Sequence, residues 1–279
     1  MSLRKWATPA CALMFLFLIV ALSKISNAQL SLYDNFRSAH IDPSKWASAG
    51  PDPDVLEAVR QLAGEEEDRR LHLSQRAYSA TTDDGGASGG TFGLFFPVPG
   101  AVTEVFFDMV IKSAVAVGCN SNPNGQIVTG AELRGRYFNT ESSPTSQLGD
   151  VEAVIGANRN ATDTGPAMEV LGFYQRCDDA NCSTRTTLGF NRLGFIQPGA
   201  VATLHIKWDQ PNHQFVFQLN NGPLVFSPYT ASDTAQPFFG PFRSIDLARV
   251  VPHCTTTPRP FASIDAFFSN VRVNPTAVP

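Results

Sequence analysis

The 279-residue sequence predicts an all-β protein, a two-sheet antiparallel jelly-roll sandwich. Three observations lead there. Apolar and polar residues alternate with period two over many short runs, as in half-buried strands. Gly, Pro, Asn and Asp punctuate those runs at spacings that suit a sandwich or jelly roll. Helical periodicity is scarce.

The chain opens with a segment outside that pattern. Arg4 and Lys5 precede an apolar run from Ala10 to Leu22, and Ser26-Asn27-Ala28 follows with small residues. This reads as a secretory signal peptide over 1–28, with the mature chain starting near Gln29. The run is shorter than the ~20 residues of a membrane span. Residues 29–279 then suit one large β domain better than two domains.

Strand signals follow in order. Arg70–Tyr78 and Gly90–Phe96 come first. In TEVFFDMVIKSAV, Val105, Phe107, Met109 and Ile111 share one face and Glu104, Asp108 and Lys112 the other. Ile127–Asn139, Asp150–Gly156, Met168–Cys177 and Thr186–Phe190 are the next candidates. In TLHIKWD, Leu204, Ile206 and Trp208 alternate with His205 and Lys207, and QFVFQL alternates after the turn Gln210–His213. Asn220-Asn221-Gly222 then favours a tight hairpin, because Asn and Gly tolerate positive φ. Ile264–Val273 closes the series. One segment resists: Val55, Val59 and Leu62 have helical spacing, with Asp54 as a cap and Gly64 as a stop.

Without the leader the chain carries 18 basic and 25 acidic residues, a net charge of −7. No Lys/Arg cluster appears, so nucleic acid and anionic membrane surfaces are poor partners. Loss of Cys11 leaves four cysteines, an even count that suits disulfides in an exported chain. Cys177 and Cys182 flank the turn-rich DDAN and suggest a local bridge. Cys119 and Cys254 pair by default. Zinc is the rival, but CDDANC has no matching second pair or nearby His.

Three stretches carry a family resemblance: YDNFRSAHIDPSKW (Tyr33 to Trp46), LHIKWDQPNHQFVFQLNNGPLVF, and the closing ASIDAFFSNVRVNP. Together they resemble concanavalin A-like lectin/glucanase domains over the whole mature chain. The resemblance implies two large antiparallel sheets, one concave, with the first and last strands adjacent. It also implies a strand, not a helix, around 55–62. Related domains often hold a structural Ca²⁺ near the terminal strands, for which Asp34 and Asp265 are the candidates here; the alternative is that both are polar turn residues, since Ca²⁺ wants 6–8 oxygens. No other cofactor is expected. Lectins, glycoside hydrolases, polysaccharide lyases and adhesion modules share this fold, so function rests on residues.

Retaining glycosidases need two carboxyl groups about 5–5.5 Å apart. Asp150 and Glu152 sit two apart on one strand, roughly 6.7 Å between Cα atoms, but Leu148 and Val154 replace a third carboxylate. Glu-Leu-Arg at 132–134 looks like part of the Arg-x-Glu-x-Arg strand of jelly-roll alginate lyases. Gly130 stands where the first Arg would be, and no His accompanies Gln126-Ile127-Val128, so proton abstraction lacks a base. Trp46, Trp208 and the many Phe residues read as core filling. The candidate glycan-binding set is therefore Glu132, Arg134, Arg136, Tyr137, Glu152 and Tyr174, on a concave polar face. The expectation is a secreted, non-catalytic carbohydrate-binding domain whose partner is a polysaccharide or glycan. The alternatives are a polysaccharide-active enzyme, or a structural or adhesion module.

Overall fold

The computed structural model describes residues 30–37, 41–48, 60–63, 70–122, 128–257 and 259–278. The expected signal peptide at 1–28 and positions 55–59 lie outside the described residues. Fifteen strands are described: β1 Ser31–Asp34, β2 Ala47–Ser48, β3 Arg60–Ala63, β4 Leu71–Tyr78, β5 Ala87–Phe95, β6 Glu104–Val117, β7 Val128–Asn139, β8 Asp150–Asn160, β9 Met168–Cys177, β10 Arg185–Ile196, β11 Val201–Asp209, β12 Gln214–Leu219, β13 Val225–Pro228, β14 Phe242–Pro252 and β15 Phe261–Val273. The described residues contain no α-helix, only short 3-10 turns. No helix among them is long and apolar enough to cross a membrane.

The strands form two antiparallel sheets. The first runs β13-β12-β11-β6-β15-β4-β3, with β1 also on β15. The second runs β10-β9-β8-β7-β14-β5-β2. From β4 to β7 the chain changes sheet at every strand, and β14 and β15 do so again, which is the winding of a jelly roll. The first and last strands are adjacent, with Ser31 opposite Val273. β3 pairs with β4, so the part of the disputed early segment that is described is extended.

Alternation does the packing. Leu71 and Leu73, Phe107, Met109 and Ile111, Leu204 and Ile206, Phe215 and Phe217, and Ile264 and Phe268 fill the inner face of the first sheet. Ala131 and Leu133, Val151, Ala153 and Ile155, Met168 and Val170, and Ile245 and Leu247 meet them from the second. Each large side chain so buried is worth about 1.5–3 kcal/mol. The opening motif closes one corner: Trp46 Nε1 donates to Asp34 Oδ2 at 2.7 Å, and Trp46 packs on Tyr33, Phe36 and Phe96. The hairpin turn after β12 has Asn220 at φ 53°, the left-handed conformation expected there.

One long strand is not announced by the pattern. β14 lies between β7 and β5. Its inward positions are Arg243, Ile245, Leu247, Arg249 and Val251, all buried. Two arginines in the apolar phase hide the alternation. Arg243 is fully enclosed and donates from Nε to the Val102 carbonyl at 3.1 Å and from Nη1 to the Phe242 and Arg136 carbonyls. Its guanidinium carbon lies 3.4 Å from the Tyr137 ring centroid. Burial pushes its pKa down to about 10. Gly135 makes the room: a Cβ there would stand 2.4 Å from Arg243 Cδ.

The structure does not bring the two calcium candidates together. Asp34 sits opposite Val271 and is committed to the Phe36 amide and Trp46. Asp265 lies farther back along β15, on the outer face of the first sheet, where it meets His72 Nε2 at 2.5 Å. Strand register separates them, so they are not joint ligands of one ion.

Both expected disulfides are present, Cys119–Cys254 and Cys177–Cys182. They span 135 and 5 residues of sequence. Chain-entropy arithmetic gives about 5 kcal/mol for the long loop and about 2 kcal/mol for the short one. The double variant Cys119→Ser/Cys254→Ser is therefore expected to lose more stability than Cys177→Ser/Cys182→Ser. Urea midpoints of the two would show it, and the reverse order would refute it.

Candidate functional site

The outer face of the second sheet carries the polar chemistry. Cross-strand register places Glu132 of β7 between Asp246 of β14 and Gly156 of β8. Arg134 lies between Ser244 and Val154, and Arg136 between Phe242 and Glu152. Four of the six candidate residues therefore share this face: Glu132, Arg134, Arg136 and Glu152. Tyr137 and Tyr174 do not. Both are in the opposite phase of their strands and lie in the core, which corrects the expectation that they line the polar face. Tyr137 packs edge-on against Phe215 and Trp208. Tyr174 packs on Phe215 and donates its hydroxyl to the Pro228 carbonyl at 2.9 Å.

Asp246, which no sequence pattern singled out, is the hub. Arg134 Nε donates to its Oδ2 at 3.0 Å, and Ser244 Oγ donates to the same oxygen at 2.7 Å. Arg134 Nη2 also donates to Thr91 Oγ1 at 2.7 Å. Asp246 Oδ1 is buried and takes no hydrogen bond from these donors. Glu132 stands opposite Asp246 across the β7–β14 pair. Two acids this close cannot both ionise. Burial, then the Asp246 charge, push the Glu132 pKa well above the carboxyl range. Burial raises Asp246 too, and the Arg134 and Ser244 hydrogen bonds to its Oδ2 oppose that rise.

Asp150 and Glu152, the strand pair that first suggests sugar cleavage, are spent elsewhere. Asp150 is fully buried, capped by the Phe238 amide at 3.0 Å and by Asn139 Nδ2 at 2.7 Å. Burial raises its pKa against those hydrogen bonds and Arg136. Glu152 is gripped by Arg136 at 2.7 Å and Arg185 at 3.2 Å, with Gln175 Nε2 at 3.3 Å. Burial works against its charge, but Arg185 and Arg136 outweigh it and keep the carboxylate below its usual range. A nucleophile has to be free to attack, and this carboxylate is not.

Beside Glu132, across Gly156, the same face dips into a hollow of about 270 Å³. Leu171, Phe173, Phe190, Thr187, Val128, Asn158 and Asn160 line it. Phe173 and Phe190 lie stacked at 6.4 Å between centroids, and Phe190 is 53% exposed. Glycines shape this floor. A Cβ on Gly156 would stand 2.6 Å from Glu132 Cβ, and one on Gly130 would stand 2.1 Å from Asn158 Oδ1. Gly130, where the lyase pattern has Arg, thus seats the Asn158 amide at the hollow's rim.

The raised Glu132 pKa has a stability consequence. An acid whose folded-state pKa lies above its unfolded value contributes stability that is full below about 4.5 and lost as pH rises through the folded pKa. Glu132→Gln keeps the size of the side chain and does not titrate. Relative to the wild type, this variant is expected to become more stable as pH rises from about 5 to about 8. Urea titrations at both ends check this, and a constant difference would refute the raised Glu132 pKa.

No family model matches the chain, and no curated protein matches it. The chain is similar in outline to several solved structures at low identity. One is SCLam, a non-specific endo-β-1,3(4)-glucanase from family GH16, at 14% identity, covering 87% of this chain and 91% of that one, TM-score 0.45. Another is the κ-carrageenase of Pseudoalteromonas carrageenovora in complex with a κ-carrageenan oligotetrasaccharide, at 8% identity, 88% and 98% coverage, TM-score 0.44. A third is the laminarinase of Flavobacterium sp. UMI-01, at 15% identity, 88% and 100% coverage, TM-score 0.44.

Proposed function

We propose that the protein binds a polysaccharide chain along the outer face of its second sheet. The hollow between Phe173, Phe190 and Asn158 carries this reading. Aromatic rings beside amide and hydroxyl groups suit a sugar, which offers C–H faces and hydroxyls together. Ring faces cover the apolar side, and Asn158, Asn160 and Thr187 take the hydroxyls. The Arg134–Asp246 and Arg136–Glu152 pairs hold the neighbouring floor rigid, as a binding surface on strands should be. The two disulfides and the leader-like N-terminus support action outside the cell.

One observation favours a second reading, cleavage of the bound chain. A carboxyl whose pKa is raised by burial beside a second acid is the arrangement of a general acid at neutral pH. Glu132 has that arrangement one glycine from the hollow, and its side chain is 10% exposed. It would protonate the glycosidic oxygen. Asp246 has 2% side-chain exposure and Glu152 is clamped, which weighs against either as the nucleophile and for binding as the first reading.

Neutral and anionic polysaccharides incubated with the purified protein separate the two. Co-sedimentation without new reducing ends is expected, and Phe190→Ala should weaken it about tenfold, on the scale of ~1.4 kcal/mol of lost apolar contact. New reducing ends that vanish in Glu132→Gln would instead establish cleavage. No binding to any polymer would overturn both.

A further inference from the structure

We propose that Ser88, His253 and Asp83 form a separate hydrolytic site that cleaves carboxylic esters. Ser88 lies near the start of β5, opposite Val251 of β14. Its Oγ is 3.3 Å from His253 Nε2. His253 Nδ1 is 3.0 Å from Asp83 Oδ2. Hydroxyl, imidazole and carboxylate thus stand in the order nucleophile, base and orienter, each joined through the ring nitrogen the role requires. Such a site is recognised by this geometry and not by sequence order.

The carboxylate is prepared for the role. Asp83 Oδ1 accepts the amides of Gly85 at 2.9 Å and Gly86 at 2.7 Å, and Oδ2 meets the imidazole and accepts the Thr82 hydroxyl at 3.1 Å. These bonds fix the carboxylate while His253 is aligned. Thr82 Oγ1, the other polar group facing Nδ1, lies at 3.4 Å. Gly86 lets the ring lie against the loop, because a Cβ there would be 2.6 Å from His253 Nδ1. The imidazole is 20% exposed, so an ester can reach it.

Different groups fasten the loop. Asp84 accepts the Thr255 amide and hydroxyl and the Ser121 hydroxyl, each at 2.7 Å. Asn122 Nδ2 donates to the Gly86 and His253 carbonyls at 3.3 and 3.2 Å. The Cys119–Cys254 disulfide adjoins His253 directly. Loop closure therefore does not need Ser88 at Nε2, and the three-residue relay is surplus to it.

The reaction balances with water as the co-reactant. Ser88 Oγ attacks the acyl carbon while His253 Nε2 takes its proton. The carbonyl re-forms, the C–O bond to the alcohol breaks, and that oxygen takes the proton from His253. Water then attacks the acyl-serine, giving its proton to His253. Release of the carboxylic acid returns that proton to Ser88. Ser88 and His253 are the catalytic residues, and Asp83 is a positioning residue.

The test uses the full chain, a fluorophosphonate probe and p-nitrophenyl acetate. The wild type is expected to be labelled on Ser88, located by peptide mass, and to turn over the ester. Ser88→Ala should lose the label and at least ~10³-fold in turnover. Asp83→Asn should slow labelling, and Asp83→Glu should restore part of the rate, which a purely structural loop residue would not do. Absence of wild-type labelling with turnover at the buffer rate would overturn the proposal. So would a Ser88→Ala protein that labels and turns over like the wild type.

Discussion

The second sheet depends on one buried cation. Among the described residues Arg243 has no carboxylate partner, and it satisfies its guanidinium on backbone carbonyls and the Tyr137 ring. An unpaired charge is costly in an apolar interior, so it persists only where every donor finds an acceptor. One acceptor is the Arg136 carbonyl of β7, which ties the register of β14 to β7. A one-residue slip would turn every outward side chain inward. The alignment of Asp246 with Glu132, and of Ser244 with Arg134, follows from that lock.

The polar face illustrates how charge survives at low exposure. Each carboxylate on it takes one of two solutions. Asp246 and Glu152 are held by arginine, while burial and the neighbouring Asp246 favour the protonated form of Glu132. A buried pair of this kind contributes little net stability against an apolar replacement, yet losing one partner strands the other. The network is better understood as a device that fixes side-chain positions on a flat sheet. Glycines at 130 and 156 complete it by leaving room for Asn158 and Glu132 against the neighbouring strands.

Much of the fold was legible in the sequence because period-two alternation and turn residues are local signals. Met168–Cys177 and Gln214–Leu219 are bounded as the pattern placed them. The resemblance also placed the terminal strands side by side, which periodicity alone does not reveal. β14 was illegible because Arg243 and Arg249 occupy apolar-phase positions. Without β14, Asp246 has no place beside Glu132, and the coupling of the two acids has no sequence signature. Tyr137 and Tyr174 were assigned to the wrong face although strand phase already argued against them. The Asp83–His253–Ser88 relay could not be read at all, since its members lie 165 and 170 residues apart in two of their pairings.

The winding of the sheets sets an order of events during synthesis. β14 and β15 occupy interior places in their sheets, yet of the described strands they are translated after all the others. Until they emerge, β7 and β5 in one sheet, and β6 and β4 in the other, have no partner along facing edges. A nascent chain of some 240 residues therefore carries two half-built sheets with open hydrogen-bonding edges, the surfaces on which chains associate wrongly. Cys119 likewise waits for Cys254. The molecule is a late closer, and its yield in a cell will follow how well those edges are shielded before the final two strands arrive.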